Sequence, residues 1–314
     1  MIAKNSIFTS VLVVGCVIIL VSFAIRSSFG VFQIPIAEEF NWLRSEFSLA
    51  IALQNLAWGI GQPIFSAIAE KIGDRRAIII GGFTYASGLL LSSAAMTPQA
   101  HQIYEILVGF GVAGTGFGVI LAVVGRASSE KNRSMSLAIA TASGSAGQVI
   151  GAPIGELLLN YMPWQSVFVI FAITILSTLL LLPFMRVSVA INHRNATQNM
   201  RDLVGKAVVD PSYSMIFLGF FSCGYQLGFL TAHFPAFVTE MCNPILPGSG
   251  IYNIGITSTS ALGAISISLI GLANIAGTLG AGYLGKTYSK KYLLSLIYFG
   301  RTLVCAVFIL APIT

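Results

Sequence analysis

Long apolar runs, separated by short polar or Gly/Pro-containing breaks, fill the chain from residue 7 onward. They predict helices near 7–35, 45–69, 77–96, 102–125, 134–160, 164–185, 213–238, 257–284 and 292–312, nine in all. Each comes close to the roughly 20 apolar residues that cross a hydrocarbon layer about 30 Å thick. The fold class that follows is an all-α, polytopic membrane helical bundle, because a helix satisfies its own backbone hydrogen bonds inside lipid. One long polar stretch interrupts the pattern and carries Arg186, Arg194, Arg201, Asp202, Lys206 and Asp210. It divides the chain into a six-helix unit over 1–185, a linker over 186–212 and a second unit over 213–314.

Composition agrees with this picture. Of 314 residues only 9% are charged, against about a quarter in soluble domains. The net charge of +6 would suit a nucleic-acid binder if it were spread over one face, but the charges alternate with the helices. With a cytoplasmic N-terminus, the inner segments hold Lys4, Lys71, Arg75, Arg76, Arg126, Lys131, Arg133, Arg186, Arg194, Arg201, Lys206, Lys286, Lys290 and Lys291, 14 of the 17 basic residues. Arg44 alone falls in an outer loop, while Arg26 and Arg301 fall inside predicted helices. The positive-inside rule therefore predicts a multi-pass protein of the cell's inner (plasma) membrane with its N-terminus in the cytoplasm. No nucleic-acid partner is expected.

Four Cys and three His show no ligand-like spacing, so no metal, disulfide scaffold or other cofactor is expected. Val13-Val14-Gly15-Cys16 imitates a lipoprotein cleavage box, yet the apolar run continues to about residue 25, too far for a cleaved signal. Asn132-Arg133-Ser134 and Asn195-Ala196-Thr197 match the glycosylation acceptor pattern on loops predicted to be cytoplasmic, so neither is expected to be modified. Gly114-x-Gly116-x-Gly118 lacks the strand-turn-helix setting of a phosphate loop, and no Gly-Lys-Ser/Thr is present for ATP. The chain is not expected to be an enzyme. Energy for any transport would come from an ion gradient or from the solute's own.

Between the second and third segments the chain reads Ser66-Ala67-Ile68-Ala69-Glu70-Lys71-Ile72-Gly73-Asp74-Arg75-Arg76. This resembles the loop motif G-x-x-x-D-R-x-G-x-R-R of the major facilitator superfamily, with Ser66 for the first Gly, Glu70 for Asp and Lys71 for Arg. A degraded copy, Ala281-Gly282-Tyr283-Leu284-Gly285-Lys286-Thr287-Tyr288-Ser289-Lys290-Lys291, follows at an offset of 215 residues. Gln33-Ile34-Pro35 similarly echoes His233-Phe234-Pro235 at an offset of 200. Two parallel six-helix repeats are the building plan of that superfamily. Phe220-Phe221-Ser222-Cys223-Gly224-Tyr225-Gln226 with Phe229, Thr231, His233 and Pro235 is similar to the bacterial monocarboxylate-transporter-like branch. So are Ser28-Phe29-Gly30-Val31-Phe32 and Leu296-Ile297-Tyr298 with Arg301. The resemblance implies a twelve-helix fold of which the last three helices would be missing here. It also implies that the first, fourth, seventh and tenth helices line a central cavity, and that the Glu70, Lys71, Gly73, Asp74, Arg75, Arg76 loop acts as a cytoplasmic gate through inter-helix charge contacts.

Candidate substrate-binding residues come from polar side chains inside apolar helices. Ser22, Arg26, Gly30 and Gln33 fall at 4-4-3 spacing on one helical face, and Gly219, Cys223, Gln226, Leu230 and His233 share one face of the seventh segment. A guanidinium in hydrocarbon costs at least ~2.5 kcal/mol and needs a partner. No carboxylate lies mid-helix, and Glu105 and Glu156 fall near predicted outer ends. An anionic substrate would supply the missing partner for Arg26 and Arg301, since the guanidinium fork matches a carboxylate. The alternatives are that Arg26 snorkels toward Glu38, that Arg301 bonds neighbouring carbonyls, and that His233 is interfacial. Asn274 and the glycines Gly109, Gly111, Gly114, Gly116 and Gly118 read as helix-packing residues, and Arg126 as a charge that sets topology. In the superfamily's drug exporters an Arg precedes this glycine cluster, where Phe110 stands here.

The expected function is secondary transport of small organic anions, monocarboxylates first, by alternating access with the proton as coupling ion. The expected partners are that anion, the proton and membrane lipid, with the protein a monomer. The alternatives are a multidrug or other exporter of the same superfamily and a non-transporting membrane sensor, whose long signalling segment the linker is too short to supply.

Overall fold

The computed structural model describes residues 7–185, 200–285 and 287–310. Lys4, Arg186, Arg194, the Asn195 acceptor site and Lys286 lie outside them. All regular structure among the described residues is helical. α1 (Ser10–Ser28) is capped by Thr9, whose side chain accepts the Leu12 N–H, and passes through a 3₁₀ turn (Phe29–Phe32) into α2 (Gln33–Phe40). The single straight helix expected over 7–35 is thus interrupted, and it continues to residue 40. Pro35 explains the break, because it has no N–H to offer the Val31 carbonyl and the turn tightens ahead of it. Asn41, at φ 54°, ends α2 in the left-handed conformation that asparagine tolerates.

The chain continues through α3 (Arg44–Ile72), α4 (Asp74–Ser93), α5 (Pro98–Thr115), α6 (Phe117–Ala127), α7 (Glu130–Leu159) and α8 (Trp164–Leu179). The fourth expected segment is divided at Gly116, whose extended backbone separates α5 from α6. After the undescribed stretch come α9 (Met200–Val209), α10 (Pro211–Met241), α11 (Gly250–Asn253), α12 (Thr259–Leu284) and α13 (Lys290–Leu310). α9 is helical where the sequence suggested only linker. Seven stretches are by themselves long and apolar enough to cross a membrane: Ser10–Phe40, Pro98–Ala127, Glu130–Leu159, Trp164–Phe184, Pro211–Met241, Thr259–Leu284 and Lys291–Phe308. The remaining two of the nine expected segments, α3 and α4, are more polar. α3 carries Gln54, Asn55 and Gln62, and α4 opens on Asp74-Arg75-Arg76.

Close helix approach holds the bundle together, as small residues allow in lipid. A Cβ on Gly111 would lie 2.3 Å from the Tyr85 Cα, and one on Gly151 2.0 Å from the Ala24 carbonyl oxygen. These contacts seat α5 on α4 and α7 on α1. α12 packs along α7 over nearly its whole length. Ser260 Oγ donates to Glu156 (2.6 Å), Ser268 Oγ to the Val149 carbonyl (2.5 Å) and Asn274 Nδ2 to Gln148 (3.5 Å), while Gly282 abuts Ala138. α10 meets the first helices only in its second half, where Thr231 and Pro235 press on Gly30. Its first half leaves Phe217, Phe220, Phe221 and Tyr225 exposed.

Candidate functional site

Arg26 sits on α1 at 6% exposure, so it does not snorkel to an interface. Its Nη2 donates to Asn55 Oδ1 of α3 at 2.6 Å, and its guanidinium carbon lies 4.5 Å from the centre of the Trp58 ring. Asn55 is itself fixed by donating to the Ile51 carbonyl (2.8 Å) one turn earlier. No carboxylate is within ion-pair distance of Arg26 among the described residues. The Trp58 indole N–H, beside it, has no hydrogen-bond partner there either. A buried cation with one neutral acceptor and an idle donor at its side is an arrangement open to an anion.

Gln33 is buried at the start of α2 with Oε1 unpartnered, beyond the 3₁₀ turn that shifts it from the straight-helix register with Arg26. Arg301 on α13 donates through Nε to Gln226 Oε1 and through Nη2 to the Cys223 carbonyl (3.1 Å), while Gln226 Nε2 reaches Cys305 Sγ at 2.9 Å. The structure thus joins Gln226 to Arg301 but not to Arg26. The reason is helical geometry. Gly228, which faces Asn55 at 3.9 Å, lies about 200° round α10 from Gln226. The face of α10 turned toward α1 and α3 therefore carries Gly228, Thr231 and Pro235, and the Cys223–Gln226 face turns to α13. His233, half-buried, shares that second face and packs its ring 5.2 Å from Phe229.

At the other end of α3, Glu70 and Lys71 are exposed, and Gly73 makes the turn at φ 95°. Asp74 accepts from Arg126 (2.5 Å), so Arg126 is a structural partner as well as a charge at a helix end. Arg75 Nε donates to the Met185 carbonyl (2.8 Å) past the end of α8, and Arg76 is exposed. Of this loop, Asp74 makes an inter-helix ion pair with Arg126, and Arg75 bonds a backbone carbonyl. Exchanging the two charges, Asp74→Arg with Arg126→Asp, should restore most of the thermal stability that either single change removes. A double variant no more stable than its worse parent would show that the pair contributes nothing.

Several polar residues of this region were not singled out from sequence. Asn55 and Trp58 form the Arg26 surroundings, and Gln54, Ser92, His101 and Glu105 form a buried hydrogen-bonded group. The available signals were the adjacent Gln54-Asn55 within an apolar run and the i, i+4 spacing of His101 and Glu105.

A family model, Major Facilitator Superfamily, matches residues 14–314. The chain belongs to that superfamily. Its members are membrane transporters, not enzymes, and this chain is a multi-pass integral membrane protein of their kind. It is 26% identical over 290 residues to the uncharacterized MFS-type transporter YcxA of Bacillus subtilis, covering 89% of this chain and 66% of that one. It is 31% identical over 175 residues to monocarboxylate transporter 13 of Bos taurus, covering 53% of this chain and 37% of that one. A multidrug efflux pump of Mycolicibacterium smegmatis matches about half of the chain at a comparable level. Among solved structures, the crystal structure of a D-xylose-proton symporter superposes with a TM-score of 0.60 at 15% identity, covering 89% of this chain and 69% of that one. That likeness carries the superfamily's helical-bundle fold.

Proposed function

We propose that this major facilitator carries small organic anions, monocarboxylates first among them, across the plasma membrane by alternating access, coupled to the proton. The observation that carries the reading is Arg26. A guanidinium at 6% exposure, with one neutral side-chain acceptor and the idle Trp58 indole N–H beside it, has donors to spare for a carboxylate. The planar fork takes a carboxylate in two parallel bonds with charge on both sides, a match that a cationic solute cannot make. Similarity to monocarboxylate transporter 13 over half the chain, and Phe110 at the position of the exporters' arginine, favour the same reading. Arg301 with Gln226, and His233 with Gln33, are secondary candidates for solute contact. The charge pattern favours a cytoplasmic N-terminus and a cytoplasmic Asp74–Arg126 end, and in this proposal 1–185 and 213–314 move as two units joined by 186–212.

Purified protein in liposomes, given an inward proton gradient, tests this. Saturable uptake of labelled L-lactate that rises with the gradient is expected, with no transport of a lipophilic cation. Cation efflux without any lactate uptake would assign the protein to drug export instead.

A further inference from the structure

The carboxyl of Glu105, fully buried in α5, is used by nothing described above. Gln54 Nε2 of α3 donates to its Oε2 at 2.6 Å, and Ser92 Oγ of α4 lies 2.8 Å from its Oε1. The same serine oxygen is 2.9 Å from Nδ1 of His101, one turn earlier on α5. His101 is 1% exposed beneath the rings of Trp42 and Phe47, whose centres lie 5.9 and 6.0 Å from its own. Its second nitrogen, Nε2, is buried without a hydrogen-bond partner.

With the imidazole neutral, counting protons along this chain leaves two arrangements that satisfy both links. Ser92 has one hydrogen and two neighbours that want it. In the first, His101 carries its proton on Nδ1 and donates to Ser92, which donates to the Glu105 carboxylate. In the second, Glu105 is a carboxylic acid donating to Ser92, which donates to a bare Nδ1, and the imidazole proton is on Nε2. The two differ by one proton. Both keep all three heavy-atom positions, and in both Nε2 is the open end.

We infer that Glu105, Ser92 and His101 form a proton relay whose entry is His101 Nε2. A proton from the medium bonds to Nε2; the N–H bond at Nδ1 breaks as its proton passes to Ser92 Oγ; and the serine proton passes to Glu105 Oε1. The net result is one proton bound, the carboxylate converted to the acid and the imidazole returned to neutrality in its other tautomer. Release runs the same steps backward. Tyr85 of α4 lies within electrostatic reach of Glu105 on one side and of Arg26 of α1 on the other. Glu46 of α3 is held by Gln102 Nε2 at 2.6 Å. On α6 the sole charged residue is Arg126, paired with Asp74. Gln54 on Glu105 and Asn55 on Arg26 are consecutive residues of α3, so a change of charge at one site is felt at the other through a single peptide. That last link deepens the transport reading and rests on it; the relay itself does not.

Infrared difference spectra of the purified chain in lipid, recorded between acid and alkaline buffer, read the relay directly. Subtracting the Glu105→Gln difference spectrum from that of the natural protein removes the bands of the other ten acidic side chains, and the carbonyl stretch of a protonated carboxylic acid that remains should grow on acidification. In Ser92→Ala the band should remain with its midpoint moved by about one pH unit, since the carboxyl stays but its link to His101 is cut. A titrating acid band that Glu105→Gln leaves unchanged, or an unmoved midpoint in Ser92→Ala, would overturn the relay and leave a static polar clasp between α3, α4 and α5. No transported solute is needed, so failure of lactate uptake and failure of the relay are separate results.

Discussion

Arg26→Ala should lower the apparent affinity for a transported carboxylate by about two to three orders of magnitude while leaving the unliganded protein as heat-stable as before, or more so. The loss of affinity follows from removing one partner of a buried charge pair, worth about 3–5 kcal/mol. The stability expectation has the opposite sign because, among the described residues, the Arg26 cation has Asn55 as hydrogen-bond partner and the Trp58 face beside it but no carboxylate. Burying that charge costs the resting protein free energy, and alanine removes the cost. Arg26→Lys should recover little, because an ammonium keeps the charge but not the two-pronged donor geometry. Uptake kinetics and thermal unfolding on the same preparations separate the outcomes. A marked fall in melting temperature with unchanged transport would make Arg26 a structural fastener of α1 to α3, and the anion site would have to be sought at Arg301.

Gly111→Ala is expected to be among the most damaging small changes in the bundle. The added methyl would sit 2.3 Å from the Tyr85 Cα and 2.5 Å from its backbone nitrogen, neither of which can rotate aside. Forcing α4 from α5 should cost about 1–3 kcal/mol, and leucine at the same position more. Gly224→Ala on α10 is the matched control, since no neighbouring atom lies within 4 Å of its would-be Cβ. It should be neutral or slightly stabilising, because alanine is the better helix former by about 1 kcal/mol. Equal unfolding midpoints for the two variants would remove close α4–α5 packing as a source of stability.

These two positions also mark how far the sequence could be read. Gly111 was legible as a packing residue because a run of glycines in an apolar helix has few other uses, and the helices themselves were legible because apolar runs of this length have few other fates. The breaks were less so. Pro35 and Gly116 stop helical bonding locally, but their effect depends on what surrounds them, and hydropathy carries no trace of it. α9 was read as linker because its ten residues, Met200–Val209, mix charged and apolar positions over too short a span to show a helical period. Arg26 stood out on cost alone. Its partners Asn55 and Trp58 did not, since they are ordinary residues until α3 brings them to the guanidinium. Glu105 was placed at an outer end by counting along the helix, whereas its complete burial comes from α3 and α4 closing over it. The pairing of Gln226 with Arg301, away from Arg26, was hidden for the same reason: spacing gives the face of a helix but not its neighbour.

The seam between α7 and α12 has a mechanical consequence. Contacts near both of its ends, the Ser260 to Glu156 hydrogen bond at one and close packing of Gly282 on Ala138 toward the other, let it serve as an axle. What resists rolling is concentrated off the axle, where Thr231 and Pro235 press on Gly30 and where Arg44 meets Glu240, an exposed ion pair. Such a pair is worth about 0–1 kcal/mol, so the latch is weak by construction. A shift of about 1.4 kcal/mol in either direction changes the ratio of latched to unlatched molecules tenfold. If the anion binds beside Arg26 as proposed, a modest preference for one setting would be enough to throw the switch.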